Sequence, residues 1–421
     1  MKISFIYLNN DPMVSRGAGY IVMALRSAGH EVLFFDTLYT TDMQAAKDTY
    51  RSRCDLVMIS ATSMYYNRAK AVARKIKRGI DCPIVLGGAH STVLGAQLLE
   101  DCNALDYLCI GEGEEFAVEL AERISLGLPV NDIANLAYRT ATGVRANPVR
   151  PPTNLNTLGP FDHSIFNPNS VVTPQACLPG FSYVFATRGC PYRCSYCCNS
   201  TFLRLYNKSF LRTQNIDTVI EELLDLKHRY PVKLLYFGDE MILFDRHYVS
   251  ELFNRVQSEV RLPYGCMFRP EHLTDGIADL LKKTGCIYAA MGIECGDERF
   301  RREYLNRLGT NQQIINTFRI LRKKIPKIFL VSFNMKGYPV SYDDKLTQAT
   351  KKLNRIVRPN HSQTTWYYPI PGTDLHDYCE ERSLINMDLV SASQDYFRGS
   401  VLNHPVDPAH DSPIYPRRLS P

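Results

Sequence analysis

The stretch Cys190-Pro191-Tyr192-Arg193-Cys194-Ser195-Tyr196-Cys197 decides the reading of this chain. Three cysteines, separated by three residues and then by two, put three thiols on one tight loop. The run before it, SYVFATRG (182–189), reads as a strand, so the loop opens at a strand's C-terminal end. Three thiolates can hold three irons of a 4Fe–4S cluster and leave the fourth iron open to a substrate or cofactor. A cluster with four Cys ligands leaves no such position. The plain alternative is a zinc knuckle, which takes four ligands in pairs. No His or Cys follows at that spacing, and His228 sits on a predicted helix. Cys198 adjoins Cys197 and is expected to turn away from the site as a non-ligand.

Outward from this loop, strands and helices alternate. The strands are SYVFATRG, KLLYFGD (233–239), YGCMFRP (264–270), IYAAMGIE (287–294), IFLVSFNMKG (328–337) and QTTWYYPIPG (363–372), with amphipathic stretches between them. Six strands with intervening helices predict a partial (β/α)6 barrel over 181–390, whose chemistry sits at the C-terminal strand ends. Toward the N-terminus, KISFIYL (2–8), HEVLFFD (30–36), DLVMISA (55–61), CPIVLGG (82–88) and LDYLCIG (105–111) also alternate with helical stretches. They predict an α/β, doubly wound, Rossmann-like domain over 1–130. Residues 131–180 are rich in Pro and Asn and read as a linker, with a possible small hairpin near its start. The Pro-rich stretch 391–421 reads as a flexible tail.

CPYRCSYC at the first strand of a partial barrel resembles the signature of the radical S-adenosylmethionine (radical SAM) superfamily. The resemblance implies that the open iron is chelated by the amino and carboxylate groups of SAM. It also implies that an electron from the cluster cleaves SAM to a 5′-deoxyadenosyl radical. Phe237-Gly238-Asp239-Glu240 resembles the family's Gly-Gly-Glu segment for the methionine amino group, with Asp239 in place of the second Gly. Gly292-Ile293-Glu294-Cys295-Gly296 is similar to a Gly-Ile-Glu-Ser-Gly segment whose Glu reaches the ribose, with Cys295 in place of Ser. The resemblance thus points to Gly238, Asp239, Glu240, Glu294 and Arg299 as SAM contacts, with Arg269 a further candidate. For Glu294 and the two arginines, structural ion pairs are the alternative.

The first domain resembles the cobalamin-binding domain. Ser60 and Gly87-Gly88 match its Ser and Gly-Gly positions, and Gly111 and Glu112 follow the fifth strand. All lie at C-terminal strand ends, where doubly wound sheets bind ligands. The first loop departs from that family. Its Asp-x-His-x-x-Gly motif would place Asp at Pro12 and His at Val14, so no histidine is offered to cobalt. A Rossmann-like domain that binds another partner, or nothing, is the alternative.

The combined resemblance is to cobalamin-dependent radical SAM enzymes, with a 4Fe–4S cluster, SAM and cobalamin as cofactors. It implies a methyltransferase acting on an unactivated carbon of a small-molecule or natural-product intermediate. An electron donor such as flavodoxin or ferredoxin is implied as a partner. The alternatives are a radical SAM enzyme that cyclises, rearranges or oxidises, and a non-enzymatic iron–sulfur or zinc protein. Composition agrees with an enzyme. The chain has 421 residues, 45% hydrophobic and 22% charged, as a folded multidomain protein does. The 13 cysteines are an odd number and no export signal is seen, which points to the cytoplasm and to metal rather than disulfides. The net charge of +6 is scattered, not gathered into a nucleic-acid face. No apolar run spans a membrane.

Overall fold

The structure, a computed structural model, describes residues 1–175, 178–206, 210–391, 397, 399–403 and 414. It forms two compact units: Met1–Val171 with Arg204–Ser209, and Val172–Leu203 with Phe210–Pro421.

In the first unit, short apolar runs form β1 (Lys2–Tyr7), β2 (Glu31–Asp36), β3 (Leu56–Ser60), β4 (Ile84–Gly87) and β5 (Tyr107–Cys109). Two further strands, β6 (Leu136–Thr140) and β7 (Gly143–Ala146), complete the order β2-β1-β3-β4-β5-β6-β7. β1 to β5 are parallel, which requires helical crossovers; β6 and β7 are antiparallel. The helix Tyr66–Lys77 is such a crossover. Its Ala69, Val72, Ala73 and Ile76 are buried against one face of the sheet, and its Arg74, Lys75 and Lys77 complement the C-terminal dipole. Strand order reverses between β1 and β3, so the ligand crevice of this sheet type opens where Tyr7 pairs with Ser60.

The linker expected over 131–180 is corrected here. Leu136, Ala137 and Tyr138 are buried, and β6–β7 extends the first sheet. Arg139 fixes the hairpin by donating to the carbonyls of Leu99, Leu105 and Cys102. The Pro- and Asn-rich residues that follow are irregular but packed. Phe161 stacks edge-on to Tyr20 and fills the space beside Gly19, where a Cβ would come within 2.4 Å of its ring. Pro and Asn in this stretch report a non-repeating backbone rather than a loose one.

The second unit holds β8 (Thr173–Gln175), β9 (Leu178–Val184), the short pair β10 (Thr187–Arg188) and β11 (Arg212–Thr213), then β12 (Leu234–Phe237), β13 (Tyr264–Phe268), β14 (Cys286–Glu294), β15 (Phe329–Lys336) and β16 (His361–Trp366). The main sheet runs β16-β15-β14-β13-β12-β9-β8. Six of its strands are parallel and β8 is antiparallel to β9, as a partial (β/α)6 barrel requires. The helices carry ordinary start and stop signals. Thr274 caps Asp275–Thr284, which ends on Gly285 at φ 87°, and Thr310 with Gln313 forms a capping box on Asn311–Lys324. Tyr288 packs edge-to-face on Phe181 and Tyr236 and stacks on Phe329, with Tyr183 beside them, in one aromatic core cluster. Tyr264, Phe268 and Tyr367 are at most 1% exposed and belong to the packing.

The tail expected from 391 lies mostly outside the described residues. Within its described part Phe397 is exposed, whereas Val401 and Leu402 are buried and Leu402 makes an antiparallel bridge with Ile385. Two adjacent apolar residues suffice to hold that segment on the core beside Leu384 and Cys379.

Candidate functional site

In the second unit, the chain leaves the sheet at Val184, earlier than the apolar run 182–189 predicts. The cause is Asp239. Its buried carboxylate accepts from Ala186 N (2.8 Å), Thr187 N (2.5 Å) and the Thr187 hydroxyl (2.7 Å), drawing residues 186–187 off the strand line. Asp239 therefore holds the start of the cysteine loop. Its departure from Gly has a structural role, and the side chain is committed there.

The loop itself is stitched to residues 304–307. Ser195 N donates to Leu305 O (3.2 Å), the Ser195 hydroxyl to Tyr304 O (2.5 Å), and Asn306 Nδ2 to Arg193 O (2.7 Å). Asn306 sits at φ 51°, the left-handed region that Asn tolerates. Cys194 is buried, and Cys190 and Cys197 are partly exposed. Burial pushes the Cys190 thiol up to about 12 and the Cys194 thiol upward, and the Cys198 thiol followed by burial raises Cys197, so a bound metal would displace protons. Among the described residues, only His376, Asp377 and Glu380 bring three ligand atoms within 4.8 Å of one another. The three loop sulfurs are spread wider than that. A single tetrahedral zinc would draw its thiolates to about 3.8 Å, from Zn–S near 2.3 Å. Cys198 does not turn away as expected: its thiol hydrogen-bonds that of Cys197.

Glu240 follows Asp239. Its side chain reaches open space yet is ringed by protein, and desolvation pushes its carboxyl up to about 7. Its negative charge adds to the upward push on the thiols of Cys190 and Cys197. Gly238 ends β12, where a Cβ would press within 3.2 Å of Phe185 and Tyr183.

Glu294 ends β14 after a break in register, at φ 62°. A non-glycine residue held there stores strain of about 1–3 kcal/mol, which surrounding contacts must offset. Its carboxylate folds back over Gly292, where a Cβ would meet it at 2.3 Å. Burial pushes the carboxyl up and Arg307 opposes this, with Nη1 at 3.1 Å from Glu294 Oε1. Arg307 also donates to Tyr196 Oη (3.0 Å) and Gly292 O (2.8 Å). Arg307 thus ties the cysteine loop to the β14 end. No motif in the sequence pointed to it; the signal was its position 13 residues after Glu294, which no spacing rule reads. Arg299 is corrected: its side chain is 70% exposed and pairs with Glu303 one helical turn on, as a surface ion pair. Arg269 is buried instead, with Nη1 at 3.7 Å from Cys194 Sγ.

In the first unit, Tyr7, Ser60 and Gly87 stand side by side at the C-terminal edge. Gly88 has φ 96°, and a Cβ there would lie 2.6 Å from Ala61 O, so only glycine lets the β3 and β4 loops meet. Next to it His90 is 4% exposed. Its Nδ1 lies 3.0 Å from Ser63 Oγ, its ring lies against Tyr66, and its Nε2 is buried without a partner. No motif in the sequence singled out His90. Gly111 and Glu112 are committed elsewhere. Gly111 has φ 95° and packs under Tyr206, whose hydroxyl accepts from Glu112 N (2.6 Å). The Glu112 carboxylate accepts from Thr153 N (2.6 Å), anchoring the strap 150–153. Val14, at the position of the missing histidine, is 3% exposed. Gly87, where a Cβ would meet only Cys109 Cβ at 3.6 Å, leaves bare backbone beside Ser60, which fits the close approach of an extended group.

Comparison with known proteins gives two family matches: the B12 binding domain over residues 10–121 and the radical SAM superfamily over 184–353. The chain is 28% identical over 384 residues to an uncharacterized methyltransferase from Pyrococcus horikoshii, covering 88% of this chain and 79% of that one. It is 24% identical to an anaerobic magnesium-protoporphyrin IX monomethyl ester cyclase from Rubrivivax gelatinosus, covering 89% and 69%. Its fold matches that of the radical SAM methyltransferase TsrM from Kitasatospora setae, solved with cobalamin and a 4Fe–4S cluster. The TM-score is 0.70 at 17% identity, over 91% of this chain and 76% of that one.

Proposed function

The chain belongs to the radical SAM enzymes that also carry a B12-binding domain, and from that premise we propose that it is a methyltransferase acting on an unactivated carbon of a small molecule. Cys190, Cys194 and Cys197 hold three irons of a 4Fe–4S cluster. Glu240 accepts a hydrogen bond from the amino group of SAM, and Gly238 lets that segment approach the cofactor. Glu294, oriented by Arg307, accepts from the ribose hydroxyls, since a carboxylate can take two donors at once. In the first domain, the Ser60 and Gly87-Gly88 edge takes the cobalamin tail. When bound, the cluster and SAM supply a radical, and cobalamin supplies the methyl group. The protein's part is to position these groups and to exclude water. The electron comes from a small redox protein such as flavodoxin or ferredoxin, and a cytoplasmic setting keeps the thiols reduced. Among the described residues, no helix is long and apolar enough to cross a membrane.

The observation that carries this reading is three thiols on one loop, with Arg307 linking that loop's Tyr196 to Glu294 at the end of β14. The test is anaerobic reconstitution of the full chain with iron, sulfide and hydroxocobalamin, then desalting and metal analysis. About four irons and one cobalt per chain are expected. Turnover of SAM should then give 5′-deoxyadenosine and S-adenosylhomocysteine. Deoxyadenosine without homocysteine product would replace methyl transfer with another radical reaction, such as the one named for the cyclase relative. No SAM cleavage by a fully loaded chain would overturn the reading.

A further inference from the structure

Arg269 stands at the end of β13, 7% exposed, with its guanidinium fixed on three sides. Nε and Nη2 both donate to Glu271 Oε1, at 2.8 and 2.5 Å. The Tyr192 ring lies flat beneath it, 3.7 Å from the guanidinium carbon. Tyr192 is itself held by a hydrogen bond to the His272 ring. The remaining direction is taken by Nη1, at 3.7 Å from Cys194 Sγ. A freely rotating cation on the surface would not hold such an aim. Here a carboxylate, an aromatic face and burial leave the guanidinium one orientation.

We propose that Arg269 donates an N–H···S hydrogen bond to Cys194 and thereby raises the reduction potential of the cluster this cysteine would ligate. The inference rests on the cluster reading above. Reduction adds one negative charge to the cluster, its sulfurs and its thiolates. A fixed donor and positive charge at one thiolate stabilise that added charge, as hydrogen bonds and net charge do in iron–sulfur proteins generally. Arg269 is a positioning and tuning residue in this account, not a catalytic one. Glu271 and Tyr192 act through it. The arrangement also explains a residue type. Lysine has no planar fork to satisfy Glu271, the ring and the sulfur together, whereas arginine does.

The test is an anaerobic redox titration of the reconstituted full chain without SAM, followed by the electron paramagnetic resonance signal of the reduced cluster. Arg269→Gln is expected to keep about four irons per chain and to be about tenfold harder to reduce, a fall of about 59 mV for one electron. Arg269→Lys should recover part of that shift. Glu271→Gln, which loosens the guanidinium without removing it, should shift the potential the same way by less. It also serves as the decisive variant if Arg269→Gln does not load iron. Full iron with an unchanged potential in the variant that loads would overturn the inference. Failure of the unsubstituted chain to take up iron would instead overturn the cluster reading.

Discussion

The two candidate sites are built by opposite means. At the barrel, the proposed chemistry rests on side chains: three thiols on one loop, Glu240 after β12, Glu294 at the end of β14 and two buried arginines. At the first sheet, backbone carries it. Gly88 is required by its φ of 96° and by Ala61 O at 2.6 Å, and the flanking polar groups mostly hold loops together. A site made of side chains announces itself by residue type. A site made of backbone announces itself only by glycine, and glycine has many uses. That is why Gly111 and Glu112 looked like ligand contacts and are in fact packed under Tyr206 and tied to Thr153.

This contrast can be broken by experiment. Its strongest form concerns the thiols. Cys190→Ala, Cys194→Ala or Cys197→Ala should each abolish cluster loading and SAM cleavage, measured as iron per chain and deoxyadenosine formed. Cys198→Ala should retain both. Because Cys198 hydrogen-bonds Cys197, loss of iron in Cys198→Ala would reassign the third ligand.

Next in size is the buried pair. Arg307→Met leaves Glu294 buried without its cation, and removing one partner of such a pair costs about 3–5 kcal/mol. Thermal unfolding should show the drop. Arg307→Met combined with Glu294→Gln should recover much of it. A fall of under about 1 kcal/mol would mean that the pair is solvated.

Glu240→Gln should weaken SAM binding by about 10- to 100-fold, the loss of one charge-assisted hydrogen bond. The carboxyl's pKa of about 7 adds a pH signature. An amino N–H donor prefers the ionised carboxylate, so affinity should rise as pH climbs through 7 and flatten in the Gln variant. The linkage has the opposite sign for folding: a raised carboxyl pKa means stability from this group falls between the unfolded value of about 4.3 and 7.

At the backbone site, Gly88→Ala should lower cobalamin uptake while leaving iron loading intact, because the strain falls on the β3–β4 loops. Full cobalt content in that variant would place the tail elsewhere. The smallest effect concerns His90, whose pKa burial lowers to about 4. The unfolded chain takes up a proton near 6.5 and the folded one near 4, so stability should fall as pH drops through that window. The decrease is at most about 3 kcal/mol and should vanish in His90→Asn.

Much of this was legible in the chain itself. The spacing of Cys190, Cys194 and Cys197, the six apolar runs of the barrel and the five of the first domain depend on local periodicity, and the structure keeps them with end shifts of a few residues. The displaced end at Val184 was not legible, because it follows from Asp239 pulling on Ala186 and Thr187 some 53 positions away. The hairpin β6–β7 was legible only as a possibility, and its place in the first sheet was not, for a related reason. Its residues form a strand because β5 offers an open edge, and a short run among Pro and Asn carries little pattern of its own. Arg299 was misplaced since sequence gives a cation its position but not its face of the helix.

The sequence by itself determined which groups the chain possesses and the order of its elements, since periodicity and thiol spacing are local properties. Only the tertiary structure decided which arginine faces a cysteine and which faces water. Arg269 and Arg299 differ by contacts made across the fold: Glu271, the Tyr192 ring and burial fix one, while the other reaches only Glu303 and solvent. Charge becomes an instrument only when its direction is fixed, and direction is set by packing between segments that the linear chain keeps apart.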